Sequence, residues 1–259
     1  MTRVALSVSA FRAVVRWAAV FALFGAVVLP ARAQEERFLC GGLSNNFGPF
    51  DYRVENAGSR TALGLPIRMV EGAHFTPEVE TLKRGKTGVN PGADIDYTLR
   101  AFPNHHRALL AMMNLSFKEK TSKPRGSRYT IDCWFERGAR FRPDDAVVKM
   151  LWGIYTLKVG RRDEAIKLLQ EAEKAATEDP NLYYNLGLAF FDLKRYDDSL
   201  KYAHMAYALN YPLPGLREKL KRAGIWKDLP PKTKAAEPAS AQSAPVLDGA
   251  NQSEAVKAQ

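Results

Sequence analysis

The sequence predicts an all-α protein: a short solenoid of helical hairpins, preceded by a loop-rich N-terminal extension and closed by a C-terminal capping helix. Three observations carry this reading. First, residues 146–211 hold two copies of one 34-residue unit, since a shift of 34 places Gly153 on Gly187, Asp163 on Asp197, Ala165 on Ser199, Ile166 on Leu200 and Ala172 on Ala206. Small residues recur where two helices must cross closely, and large apolar residues recur between them. Second, residues 34–103 contain nine glycines and five prolines, with no helix-length periodic stretch between them. Third, Pro212, Pro214 and Gly215 interrupt the repeat, and Leu216 to Arg222 then form one amphipathic helix with Leu216 and Leu220 on one side. A solenoid end needs such a cap.

The first 33 residues read as a secretory signal: Arg3, Arg12 and Arg16, an apolar run from Trp17 to Leu29, then Pro30 and the small-residue site Ala31-Arg32-Ala33, with cleavage after Ala33. The run is shorter than the roughly 20 residues a membrane span needs, so a retained anchor is the weaker alternative. Loss of the signal removes four arginines and no acid, so the net charge falls from +10 to +6. A basic surface of this size suits anionic envelope components or an acidic protein, or is simply a solvated face. Export argues against nucleic acid. In an exported, oxidising compartment the two cysteines, Cys40 and Cys133, are expected to form one disulfide.

Within the extension, Phe47, Phe50 and Tyr52 flank the Gly48-Pro49 turn and need a surface to lie on. Thr76-Pro77 opens a short helix with Glu78 and Glu80 in its first turn and Gly85 as terminator. Asp94 is the expected cap of a second short helix through Ala101, stopped by Pro103. Asn104 then caps a helix carrying Leu109, Leu110, Met112 and Met113, Ser116 to Arg128 reads as an exposed loop, and Tyr129 to Phe141 is helical again with Cys133, Phe135 and Gly138 inward. Counted back by 34, Pro143, Phe135 and Gly138 fall on repeat positions, so 104–145 reads as an altered first repeat. Repeats at 146–179 and 180–213 and a cap at 214–228 complete the array. Residues 229–259, rich in Ala, Pro, Lys, Ser and Gln, have too few large apolar residues to offset their ordering entropy and read as a disordered tail.

The period and the small and apolar positions quoted above resemble the tetratricopeptide repeat, a helix-turn-helix unit of 34 residues. Gly160 matches the family's turn glycine, whereas Lys194 replaces it in the next copy. The whole chain also resembles a group of exported bacterial proteins built on this repeat, through Phe47–Arg53, Glu71–Glu80, Asp96–Leu109 and Tyr211–Trp226. That second resemblance implies no reaction and no ligand. The first implies inner helices lining a groove that holds a peptide of a partner protein, with Val147, Met150, Ile154 and Leu157, then Asn181, Tyr184, Leu188 and Phe191, facing it. A related subfamily grips a peptide's terminal carboxylate with Lys, Asn and Arg. Here Ile154 and Leu188 occupy the asparagine positions, which points to apolar and aromatic contacts instead. Whether the groove is open or filled by residues 34–103 stays undecided at this level.

Few residues suggest chemistry. His105 and His106 are adjacent, about 100° apart on a helix, and share an ion only if another segment arrives; His74 with Glu78 would be that segment. No H-E-x-x-H spacing supports it. His204 lies among aromatic residues and reads as packing. Arg84-Gly85-Lys86-Thr87 imitates the end of a phosphate loop, but Glu80 occupies the required glycine position. No nucleophile elbow is present, and no cofactor is implied. The sequence thus favours a non-enzymatic, exported interaction module or scaffold of the cell envelope, with a small metal-binding protein or enzyme using His74, His105 and His106 as the alternative. It says nothing of oligomeric state or of the partner's identity.

Overall fold

The computed structural model describes residues 40–57, 64–176 and 178–228, and all regular structure among them is helical. The expected signal at 1–33 and tail at 229–259 lie outside the described residues. In chain order the helices are α1 (Tyr52–Ala57), α2 (Leu65–His74), α3 (Pro77–Glu80), α4 (Gly92–Ala101), α5 (His106–Glu119), α6 (Ile131–Phe141), α7 (Ala146–Lys158), α8 (Arg162–Ala175), α9 (Pro180–Asp192), α10 (Tyr196–Ala208) and α11 (Gly215–Arg222).

The pairs α7/α8 and α9/α10 are the two sequence copies, each packed as a hairpin, and α5/α6 precedes them. Local chemistry starts each inner helix. Asp145 and Asp179 cap α7 and α9 by accepting from the first free backbone N–H groups. Asp163 and Glu164, and Asp197 and Asp198, place negative charge in the first turns of α8 and α10. The hairpin turns keep one backbone: Gly160 has φ +84° and Lys194, its counterpart, φ +59°. Both are left-handed, so the lysine departs from the glycine in side chain and not in conformation.

Gly153 and Gly187 are small because each faces a packed leucine. A Cβ on Gly153 would sit 2.8 Å from Leu169 Cγ, and one on Gly187 would sit 2.5 Å from Leu216 Cδ2. Gly187 therefore seats both its hairpin partner α10 and the cap. Ser199, the counterpart of Ala165, donates its hydroxyl to Gly187 O at 2.7 Å, which satisfies a polar group that is fully buried. Leu216 and Leu220 of α11 are buried against the array, and Trp226 closes over His204 and Tyr207. The capping role expected for this helix is met. One core runs from Phe75 and Val79 to Leu216 and Leu220, while a smaller one gathers Tyr52, Ile67, Val70, Ala101 and Phe102 with Phe47 and Phe50.

The N-terminal extension is more helical than its glycines and prolines suggest. α2 and α4 are ten residues each and pack together, and α4 packs on α5. The chain passes from α4 into α5 by the turn that also takes α6 into α7. The C-cap residues Phe102 (φ −131°, ψ 84°) and Arg142 (φ −133°, ψ 86°) match, and His105 N–H bonds to Phe102 O as Asp145 N–H bonds to Arg142 O. Pairing of α2 with α4 thus places a further layer before the expected first repeat. Several boundaries also differ from expectation. α3 ends at Glu80 rather than running to Gly85, and α4 begins at Gly92, with Asp94 inside it accepting from the 86–87 backbone. The cap of α5 is His105, not Asn104. α5 runs on to Glu119, so part of the expected 116–128 loop is helix, and Pro124 and Ser127 within the remainder are buried.

The start of the described chain lies along α6. The disulfide joins Cys40 to Cys133. Arg137, 2% exposed, donates to Cys40 O and Gly42 O at 2.8 and 2.7 Å, and Arg140 donates to Gly41 O at 2.8 Å. The chain continues to the end of α4, where Phe50 N–H bonds to Ala101 O. Because the disulfide spans 93 residues, replacing both cysteines with serine is expected to lower stability by about 4 to 5 kcal/mol through loop-closure entropy. Chemical denaturation of the two proteins checks this, and equal midpoints would contradict it.

Candidate binding cleft

The inner helices α5, α7 and α9 line a continuous cleft. Its first stretch, about 410 Å³, has Met113, Met150 and Leu151 as floor, Leu110, Val147 and Ile154 on the walls, and His106, Arg107, Asn114, Lys158, Asn181 and Asn185 around the rim. Its second, about 220 Å³, lies between Ile154, Leu157, Leu188 and Ala189, with Lys158, Asn185 and Asp192 at the edge. Ile154, Lys158 and Asn185 belong to both, which makes the two stretches one surface. Among the described residues none of 40–104 lines either stretch. Residues 40–50 run along α6 to the end of α4, and Glu71 and Glu80 reach the rim only through Arg107.

Six of the eight groove residues expected from the sequence meet here: Val147, Met150, Ile154, Leu157, Asn181 and Leu188. Tyr184 and Phe191 do not. Asn181, Asn185, Leu188 and Asp192 form the cleft stripe of α9, and Tyr184 and Phe191 lie about 60–80° round the helix from it. Tyr184 packs on Tyr211 with ring centroids 4.4 Å apart, and its hydroxyl backs onto Gly215. Phe191 packs against Tyr196, and the Lys219 ammonium lies 4.6 Å over its ring. Both serve the contact with the cap. Asn185, which sequence reasoning passed over, takes the cleft position; a polar residue amid the apolar run of α9 was the available signal.

The cleft's mouth is set by a buried carboxylate. Asp145, 1% exposed, caps α7 through Val147 and Val148 N–H at 3.1 and 3.2 Å, and accepts from His106 Nε2 at 2.9 Å and from Asn104 Nδ2 at 2.9 Å. Burial alone would raise its pKa, but the bonds from His106, Asn104 and the helix backbone hold it below the usual range. Asn104 also donates to Asp51 at 2.7 Å and accepts from Tyr52 N–H at 3.0 Å, so the residue expected as a cap is a junction instead. Arg107 at the rim is occupied by Glu80 and Glu71. Lys158 has no carboxylate partner among the described residues; its ammonium lies 5.8 Å from the centre of the Phe117 ring.

The three histidines do not converge. His74 Nδ1 bonds to Asp94 at 3.0 Å, His105 Nε2 to Glu71 at 3.0 Å, and His106 Nε2 to Asp145 at 2.9 Å. His105 uses both ring nitrogens, since Nδ1 accepts from Ala108 N–H at 3.2 Å, which fixes the Nε2–H tautomer. Glu78 instead lies beside Thr76, Arg84 and Lys86, apart from His74. Among the described residues no three His, Cys, Asp or Glu side chains form a metal-binding group. The alternative set of His74, His105 and His106 does not come together: each ring goes to its own carboxylate. In Arg84–Thr87 the backbone N–H groups of Lys86 and Thr87 bond to Asp94, and are thereby occupied.

A scan against models of protein families finds no match to this chain, and a search of curated proteins finds none either.

His105 is fully buried, stacked 4.1 Å from Tyr52, and burial lowers its pKa below 6.5. Its neutral form is the folded one, so its contribution to stability is complete above pH 6.5 and is lost as pH falls from there through the depressed folded value. His204, pressed on Trp226, is shifted down by burial as well and acts in the same window. The free energy of unfolding is expected to fall between pH 7 and pH 5, by up to about 1.4 kcal/mol per pH unit for the buried His105 and by less for His204, which solvent screens. The His105→Asn variant is expected to show a shallower fall. A pH-independent wild type would refute this.

Proposed function

We propose that the protein is a non-enzymatic binding module of the tetratricopeptide type, exported to the cell envelope, that holds a peptide segment of a partner protein in the α5–α7–α9 cleft. The observation that carries this reading is the cleft itself: apolar along its floor, continuous across three helices, and left uncovered by the described part of the extension. Leu110, 41% exposed, and the half-buried Val147, Ile154, Leu157 and Leu188 offer apolar contacts. Asn114 on α5 offers its amide and Asn185 on α9, whose Nδ2 donates to Asn181, offers its Oδ1 from the opposite side, which suits an occupant that presents both side chains and polar backbone. The disulfide and the lack, among the described residues, of any helix long and apolar enough to cross a membrane are consistent with export. The separate pairing of the histidines lends no support to an enzyme built on all three.

A photo-crosslinking amino acid placed at Ile154 in the source cell is expected to give a discrete adduct that the same group at Lys167, exposed on α8, does not. Ile154→Glu with Leu188→Glu is expected to weaken association with the adduct protein at least tenfold, because two charges enter an apolar surface. Identical adducts from both positions, or an undiminished interaction in the double variant, would sink the assignment. Tyr184→Ala and Phe191→Ala test the cap contact instead.

A further inference from the structure

His74 has one ring nitrogen bound and the other, Nε2, without a hydrogen-bond partner among the described residues, whereas His105 has both bound. His74 Nδ1 meets Asp94 at 3.0 Å, and Asp94, fully buried, also accepts from Thr87 Oγ1 at 2.6 Å, Lys86 N–H at 2.7 Å and Thr87 N–H at 3.1 Å. With three donors from Lys86 and Thr87 already directed at its oxygens, the Asp94 carboxylate serves as acceptor and takes the hydrogen bond from Nδ1–H. The Nε2 lone pair is thereby left available. Stacking on Tyr97, at 4.0 Å between ring centres, holds the ring plane. A carboxylate on one imidazole nitrogen, fixing the tautomer and raising the basicity of the other, is the usual outer shell of a metal-bound histidine.

His74 lines a cavity of about 160 Å³ together with Phe47, Met69, Val70, Ala73 and Tyr97. Met69 lies just over one turn before it on α2, and its side chain, on a residue 55% exposed, reaches the same cavity. The remaining walls are apolar or aromatic, and Asp94 is already saturated, so no hard oxygen donor competes there. Thioether plus imidazole in apolar surroundings is a donor pair for a soft, low-coordinate cation and a poor one for zinc, calcium or magnesium. We propose that Met69 and His74 form a Cu(I)-binding site at the outer end of the array, with Asp94 as the positioning residue. This site is separate from the cleft and does not depend on the peptide-binding reading.

The test is competition of the oxidised protein with bicinchoninate for Cu(I), kept reduced by ascorbate, with a thiol count to verify that Cys40 and Cys133 stay joined. One equivalent of copper is expected to leave the coloured bicinchoninate complex. Met69→Leu and His74→Gln are each expected to weaken binding at least tenfold, and X-ray absorption of the bound copper should show one sulfur among its neighbours with nitrogen. Met69 is largely exposed, so its leucine variant should keep the native circular dichroism, and it decides the matter if the histidine variant unfolds. No copper withdrawn, equal withdrawal by wild type and Met69→Leu, or a sulfur-free copper shell overturns the proposal.

Discussion

The Asp145 carboxylate is the constraint on which the arrangement of the first half of the molecule depends. Burying a lone carboxylate costs several kcal/mol unless its oxygens are filled. Here they are filled by groups from two hairpins: the α7 backbone, and Asn104 and His106 at the start of α5. Arg53, in the extension, adds a third contact at 3.6 Å. One ionised group thus makes the helix start, the angle between successive hairpins and the seat of the extension conditional on one another. Because His106 also stands at the cleft, the same group ties the interior to the surface offered to a partner.

The extension and the array therefore form one body rather than a domain with an appendage. Arg137 illustrates how this is achieved without a carboxylate partner. Its guanidinium, buried and with its pKa lowered by that burial, is held by two backbone carbonyls and the faces of Tyr129 and Trp134. Carbonyls and rings suffice because arginine is weakly hydrated and spreads its charge over a plane. The start of the described chain is thus locked to the outer helix α6, while α3 and α4 pack on α5 and no residue of 40–104 among those described lines the cleft.

How much of this was legible in the sequence follows from the range of the interactions involved. The 34-residue period rests on spacings within a hairpin, so α7 to α10 and the cap could be read directly. The further layer could not, because Pro103 and Pro143 occupy the same turn 40 residues apart; the added length lies in the 120–130 segment, which removes that layer from the period. Tyr184 and Phe191 were placed in the cleft because large apolar side chains were expected to line it, whereas the α9 stripe there is mostly polar and the two aromatics meet α11 instead. The histidines' partners lie 20, 34 and 39 residues away in sequence. No local spacing encodes such pairs, whereas adjacency of His105 and His106 invited a shared role that their opposed surroundings deny.

The two ends of the stack are closed by different means. A stacked array opens most readily from its ends, since a terminal unit has one neighbour fewer than an inner one. Near the N-terminal end a covalent bond joins Cys40 to α6, whereas the C-terminal end is held by the side-chain contacts of α11 alone. Opening is therefore directional while the disulfide persists: it starts at α11 and reaches α9 before α5. The wall that carries Asn181, Asn185 and Leu188 is the first part of the cleft to loosen, and the wall that carries Leu110 and Asn114 the last. A partner seated across both walls would act as a clasp for the end that the covalent bond leaves unguarded.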